Sequence, residues 1–151
     1  MAELVEIRGL RGLKDKVDKI SDSIFSKRLM SEIGIFAQTA IKTRTLTGKD
    51  ADGADFAPYT PKYAVFRKLK GRPINKVDLD FTGSMLASMD IDPTENQLDI
   101  FFQNTEDEFG GKNPIKAFFL NQKRNFFALS NDDINTIMKI VEQYYKRLIE
   151  S

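Results

Sequence analysis

The sequence contains no cysteine and no histidine. Without thiols, disulfides, zinc–thiolate sites, iron–sulfur clusters and cysteine nucleophiles are excluded, and nothing argues for an oxidising compartment. Without imidazole, the commonest general base and the commonest transition-metal ligand are missing as well. That leaves carboxylate, Lys, Tyr, Ser or Thr chemistry. No apolar run approaches the roughly 20 residues that span a bilayer. Glu3 and Glu6 stand where a signal peptide would be basic, so a soluble protein made in a cytoplasm, with no membrane partner, is expected.

What is present is a chain of 151 residues, read as a single domain over 1–151. That length buries about 70% of the surface of the unfolded chain and needs no covalent staples. The net charge of +1 hides an uneven distribution. Residues 42–76 hold nine basic side chains against three acidic ones, a net of +6. Residues 77–111 carry nine acids and no Lys or Arg, a net of −9. Such blocks are most often solvated faces or loops. The sharper reading is a heterologous contact in which the positive surface of one copy meets the negative surface of the next and closes a ring.

Along the chain, residues 1–12 are uncommitted, because Gly9 and Gly12 interrupt any helix; they read as an arm. Residues 13–47 are helical. Leu13, Val17, Ile20 and Ile24 recur at helical spacing, and Leu29, Ile33, Phe36, Ala37, Ala40 and Ile41 repeat the stripe, as two helices or one bent helix ending near Thr47-Gly48. Residues 48–76 read as a loop and a basic helix. Pro58 and Pro61 exclude a regular helix or central strand over 56–61, yet Phe56, Tyr59 and Tyr63 are costly to leave wet, so the loop should lie pinned on something apolar. From Thr60 to Lys70, Tyr63, Phe66 and Leu69 predict an inward face, with Arg67, Lys68 and Lys70 on the other side.

Residues 77–129 form the expected sheet region. Leu79 to Phe81 alternates like a short strand, and Ser84 to Ser88 reads as one helical turn. Residues 89–93 and 98–102 predict an antiparallel hairpin turning at Asn96, with a polar outer face. Residues 106–114 read as a loop, residues 115–121 as helix or strand, and Arg124 to Leu129 as a last strand or extended segment. Ser130 and Asp133 have the spacing of a capping box, ahead of a helix over 131–150 with its stripe at Ile134, Ile137, Met138, Val141, Tyr144, Tyr145, Leu148 and Ile149.

The candidate constellations for chemistry are thin. Asp50, Asp52 and Asp55 invite a calcium-loop reading, but Gly53 falls two residues early and Pro61 sits where a Glu is needed, so a surface turn is expected. Asp78 with Asp80, and Asp90 with Asp92, would share strand faces as carboxylate pairs do in metal or acid–base sites. The region supplies no Lys beside them, and a solvated strand is the simpler reading. Gly110-Gly111-Lys112 echoes a phosphate loop but lacks the upstream Gly, and Asn113 stands where Ser or Thr should follow. No catalytic, cofactor-binding or metal-binding residue is nominated, and no enzyme is expected.

The order Gly53, Phe56, Pro58, Tyr59, Thr60-Pro61, then a basic segment, then Thr82-Gly83-Ser84-Met85-Leu86, resembles the virion morphogenesis family of tailed bacteriophages, small neck and tail-completion proteins. Arg124-Asn125-Phe126-Phe127-Ala128-Leu129-Ser130, with Asp133, is similar to the family's Arg-Pro-Phe-hydrophobic-Gly-Leu-Ser-x-x-Asp run before a closing helix. Asn125 stands where the family tends to have Pro, and Ala128 where it tends to have Gly. The resemblance covers residues 29–149. It implies a short helix over 115–121 and a virion component made in the host cytoplasm. That component would form a hexameric or dodecameric ring between capsid and tail and bind head-completion and tail-terminator or tail proteins. On that reading Phe56, Tyr59, Tyr63 and Arg67 are the interface candidates, while Phe81, Met85, Phe126 and Leu129 hold the fold. Lys62, Lys68, Lys70 and Arg72 would face a lumen or DNA, at most in transient, unspecific contact. The alternative is a small nucleic-acid-binding protein or nuclease subunit.

The fold expected is α+β, a small antiparallel sheet packed against N-terminal helices and a long C-terminal helix.

Overall fold

The computed structural model describes residues 26–79 and 83–150. The expected arm, the helix from Leu13, and Asp80, Phe81 and Thr82 lie outside the described residues.

The fold is α+β, and its spine is helix α1, Lys27–Leu46. Ser26 is extended and its hydroxyl accepts from the amide of Leu29 at 3.1 Å, so this helix has its own N-cap. Leu29, Ile33, Ala37 and Ile41 recur at helical spacing and are all buried. The helix stops at Thr47, where Gly48 turns the chain at φ 83°.

Helix α1 carries the sheet. Strands β1, Met89–Pro93, and β2, Leu98–Phe102, pair antiparallel as the alternation predicts. Met89, Ile91, Leu98, Ile100 and Phe102 turn toward α1 and belong to or pack on the core. Gly34 is what lets the helix lie this close: a Cβ there would stand 2.9 Å from Leu98 Cδ1 and 3.0 Å from Ile91 Cδ1. The other face of the hairpin points to solvent with Asp92 and Asp99 directly opposed.

The remaining helices close around this unit. Helix α2 is Pro61–Leu69, α3 is the single turn Ser84–Ala87, α4 is Asn113–Lys123 and α5 is Asn131–Glu150. Helix α4 packs on α3 and β2, and α5 packs along α1 through Ile137, Val141 and Tyr144. Tyr144 Oη and Ser26 Oγ are 2.7 Å apart, and Arg147 reaches Glu32 at 3.1 Å. Between these layers Phe102, Phe126 and Phe127 form an aromatic cluster with centroids 5.0 to 6.2 Å apart. Phe126 and Phe127 are wholly buried, each worth roughly 1.5–3 kcal/mol of transfer free energy. Met85 and Leu129 are buried too, in the fold-holding role expected of them.

Leu79, the first residue of one expected strand, sits at φ 55°, a left-handed conformation outside the strand region, while Asp80 and Phe81 of that strand lie outside the described residues. Among the described residues the sheet has only β1 and β2; Arg124 to Leu129 pairs with neither and follows its other reading, an extended segment, in which Ala128 alone makes a β-bridge. The Phe126 amide bonds back to the Arg124 carbonyl and the Phe127 amide to Asn121 Oδ1, so both amides are used locally. No helix among the described residues is long and apolar enough to cross a membrane.

Candidate functional site

The loop from Asp50 to Pro61 is built from its backbone outward. Asp50 Oδ1 accepts from the amides of Asp52 and Ala54, both at 2.9 Å, which makes this acidic stretch a closed turn. The Ala51 amide donates to the Asn125 carbonyl and the Phe56 amide to the Gly48 carbonyl, both at 3.0 Å. Arg124 then reaches across, donating Nε to the Ala57 carbonyl and Nη2 to the Pro58 carbonyl at 3.2 Å each. The carbonyls of Ala57 and Pro58 are thus held by one planar guanidinium.

Tyr59 sits in the middle of this arrangement. The guanidinium of Arg67 lies 4.6 Å from its ring centroid and that of Arg124 5.7 Å, both in cation–π range. Burial raises the phenol pKa above 10.0; Arg67 opposes that shift and the Asp78 carboxylate adds to it.

Helix α2 starts as its sequence dictates, with the Thr60 hydroxyl accepting from the Tyr63 amide and Pro61 in the first turn. Its orientation differs from expectation. Arg67, placed on the wet side by its charge, is the residue of this helix that is fully buried. Its Nε donates to the Pro73 carbonyl at 3.0 Å and its Nη2 to Asp78 Oδ1 at 3.3 Å. A guanidinium can be buried where a carboxylate, a carbonyl and an aromatic face all meet it. Leu69, expected inside, is 80% exposed, and Phe66 41%.

The four interface candidates therefore do not share one surface. Phe56 and Arg67 are buried in the protomer and shape the loop from behind, a correction to their expected role in a contact. Tyr59 is half-buried and Tyr63 exposed. Lys62, Lys68, Lys70 and Arg72 are all exposed, on or just after α2. Sequence reasoning missed Val65, whose apolar side chain is 59% exposed.

It also missed Arg44, in the last turn of α1. Arg44 Nη1 lies 2.6 Å from Asp133 Oδ2, and Nη2 bonds the carbonyls of Ala128 and, at 3.4 Å, Phe126. Asp133 is at the same time the acid of the predicted capping box, accepting from the Ser130 amide at 2.8 Å while Ser130 Oγ accepts from the Asp133 amide at 3.0 Å. The signal available was a basic last turn on one helix and an acidic first turn on another.

Chemically, these groups hold backbone in place. Asp107, beside Gly110-Gly111-Lys112, accepts the amides of Phe109 and Gly111 and pairs with Lys116, so that stretch is a closed turn. Among the described residues no three acidic side chains converge as a metal site would require. No protein-family model matches the chain, and no curated protein or solved structure matches it either.

Proposed function

We propose that the chain is a structural virion protein of a tailed bacteriophage. It is read as a neck or tail-completion component that assembles as a ring between capsid and tail and is not an enzyme. Its neighbours would be head-completion and tail-terminator or tail proteins. One observation carries the reading: two of the segments that bear the resemblance are bonded to each other. Arg124 holds the Ala57 and Pro58 carbonyls, and just ahead of that segment the Ala51 amide donates to the Asn125 carbonyl. Residues serving as mutual supports, with no reactive group among them, suit a subunit whose task is to hold neighbours in register.

The test is localisation. Antibody against the chain should label purified virions at the head–tail junction. Label on the capsid faces or tail tip alone, or none on intact virions, would contradict the reading.

The alternative, a small nucleic-acid-binding protein or nuclease subunit, is favoured by the exposed Lys62, Lys68, Lys70 and Arg72. It calls for a monomer or dimer whose affinity for nucleic acid falls steeply with salt.

A further inference from the structure

Burying Arg67 turns the opposite side of α2 to solvent. Lys62, Val65, Phe66 and Leu69 follow the spacing that puts side chains on one helix face, here the one away from Arg67. Val65 is 59% exposed and Leu69 80%, and Lys68 and Lys70 border the stripe on its two sides. This is an apolar strip framed by cations, with no acid anywhere from residue 60 to residue 76.

The chain carries the complementary surface. By register, Asp90, Asp92, Asp99 and Phe101 share the outward face of the hairpin, and Glu95 stands exposed at its turn. None of the described Lys or Arg side chains pairs with these four acids. Asp92 and Asp99 are directly opposed, a like-charge arrangement that costs stability in the protomer and that a neighbouring cation relieves.

We propose that the outward strip of α2 docks on the outward face of the β1–β2 hairpin of a second copy. Lys62, Lys68 and Lys70 meet the carboxylates, and Phe66 and Leu69 meet Phe101. The strip of α2 is exposed in the protomer, as are Asp92, Glu95 and Asp99 on the hairpin, where Asp90 and Phe101 are half-buried; the two surfaces differ, so the contact is heterologous and propagates from copy to copy until it closes. The inference rests on the ring reading and says which faces make the ring. A nucleic acid is the less fitting occupant: Phe66 offers bases a ring, but Val65 and Leu69, the most exposed apolar residues of the strip, offer none, and the acidic hairpin of the same chain repels a polyanion.

The test uses the full chain and three variants: K62E/K68E/K70E, D92K/E95K/D99K, and the two sets combined. Self-association is measured by sedimentation at low salt. Each single-face reversal should raise the dissociation constant by about a hundredfold or more, and the combined variant should recover to within about tenfold of wild type. All six side chains are exposed, so the melting temperature should hold. The milder K62Q/K68Q/K70Q keeps the test open if a reversal fails to fold, and it should weaken association by about tenfold or more. If wild type assembles and neither reversal changes it, this contact is wrong while the ring reading stands. If wild type stays monomeric at every concentration and salt, the ring reading falls and takes the contact with it. If the lysine reversal abolishes binding to duplex DNA and leaves self-association unchanged, the strip belongs to nucleic acid and the proposal is overturned.

Discussion

At the scale of single residues, the structure turns on guanidinium groups that the sequence presents as ordinary surface charge. Arg67→Met should lower stability by about 3 kcal/mol in denaturant unfolding, because it takes the Arg67 guanidinium away from the buried Asp78 carboxylate. Arg67→Met with Asp78→Leu should recover most of that loss; a single variant as stable as wild type would show that the pair holds nothing. Tyr59 gives a pH signature. Its folded pKa lies above 10.0 because burial disfavours the phenolate, so the fold favours the neutral form. That contribution is fully present below pH 10 and is lost as pH rises through the folded value. Absorbance titration should show one tyrosine ionising late, and Tyr59→Phe should remove that phase. These residues were hard to read in advance for a physical reason. A periodicity argument counts Arg as polar, and only the fold supplies the carboxylate, carbonyl and ring that allow Arg67 inside.

At the scale of elements, local rules and the structure agree where the pattern is long and amphipathic. The hairpin over 89–93 and 98–102, the turn at Ser84 to Ala87, and α5 with its Ser130–Asp133 box all follow from period and capping chemistry. Leu79 shows the limit, since alternation over three residues cannot foresee a left-handed backbone. The segment from Arg124 to Leu129 shows another: apolar enough for a strand, it spends the Phe126 amide on a tight turn and the Phe127 amide on Asn121, and only Ala128 makes a β-bridge. Ser26 was a cap signal within reach, Ser three residues before the buried Leu29. Two expectations belong here. Asp133→Ala removes the box and strands Arg44, and should cost about 2–3 kcal/mol in thermal or urea unfolding. Gly34→Leu forces the hairpin off α1 and should cost about 2 kcal/mol by overpacking.

At the scale of the whole molecule, the described residues form a braced frame that presents two unlike exposed faces, one basic and apolar, the other acidic. The bracing runs from α1 through Arg44 to the cap of α5, and from Arg124 to the proline loop. Charge blocks in the sequence anticipated that two such faces exist. Which side of α2 would be wet was not legible, because it depends on where Arg67 goes. An interface held by exposed charges should also weaken as salt rises toward 1 M, where the screening length falls to about 3 Å.

The most direct measurement is the particle distribution of the purified full chain at low salt, by negative-stain electron microscopy. The account predicts closed rings of several copies that come apart at high salt. A field of single protomers across the accessible concentration range would contradict it.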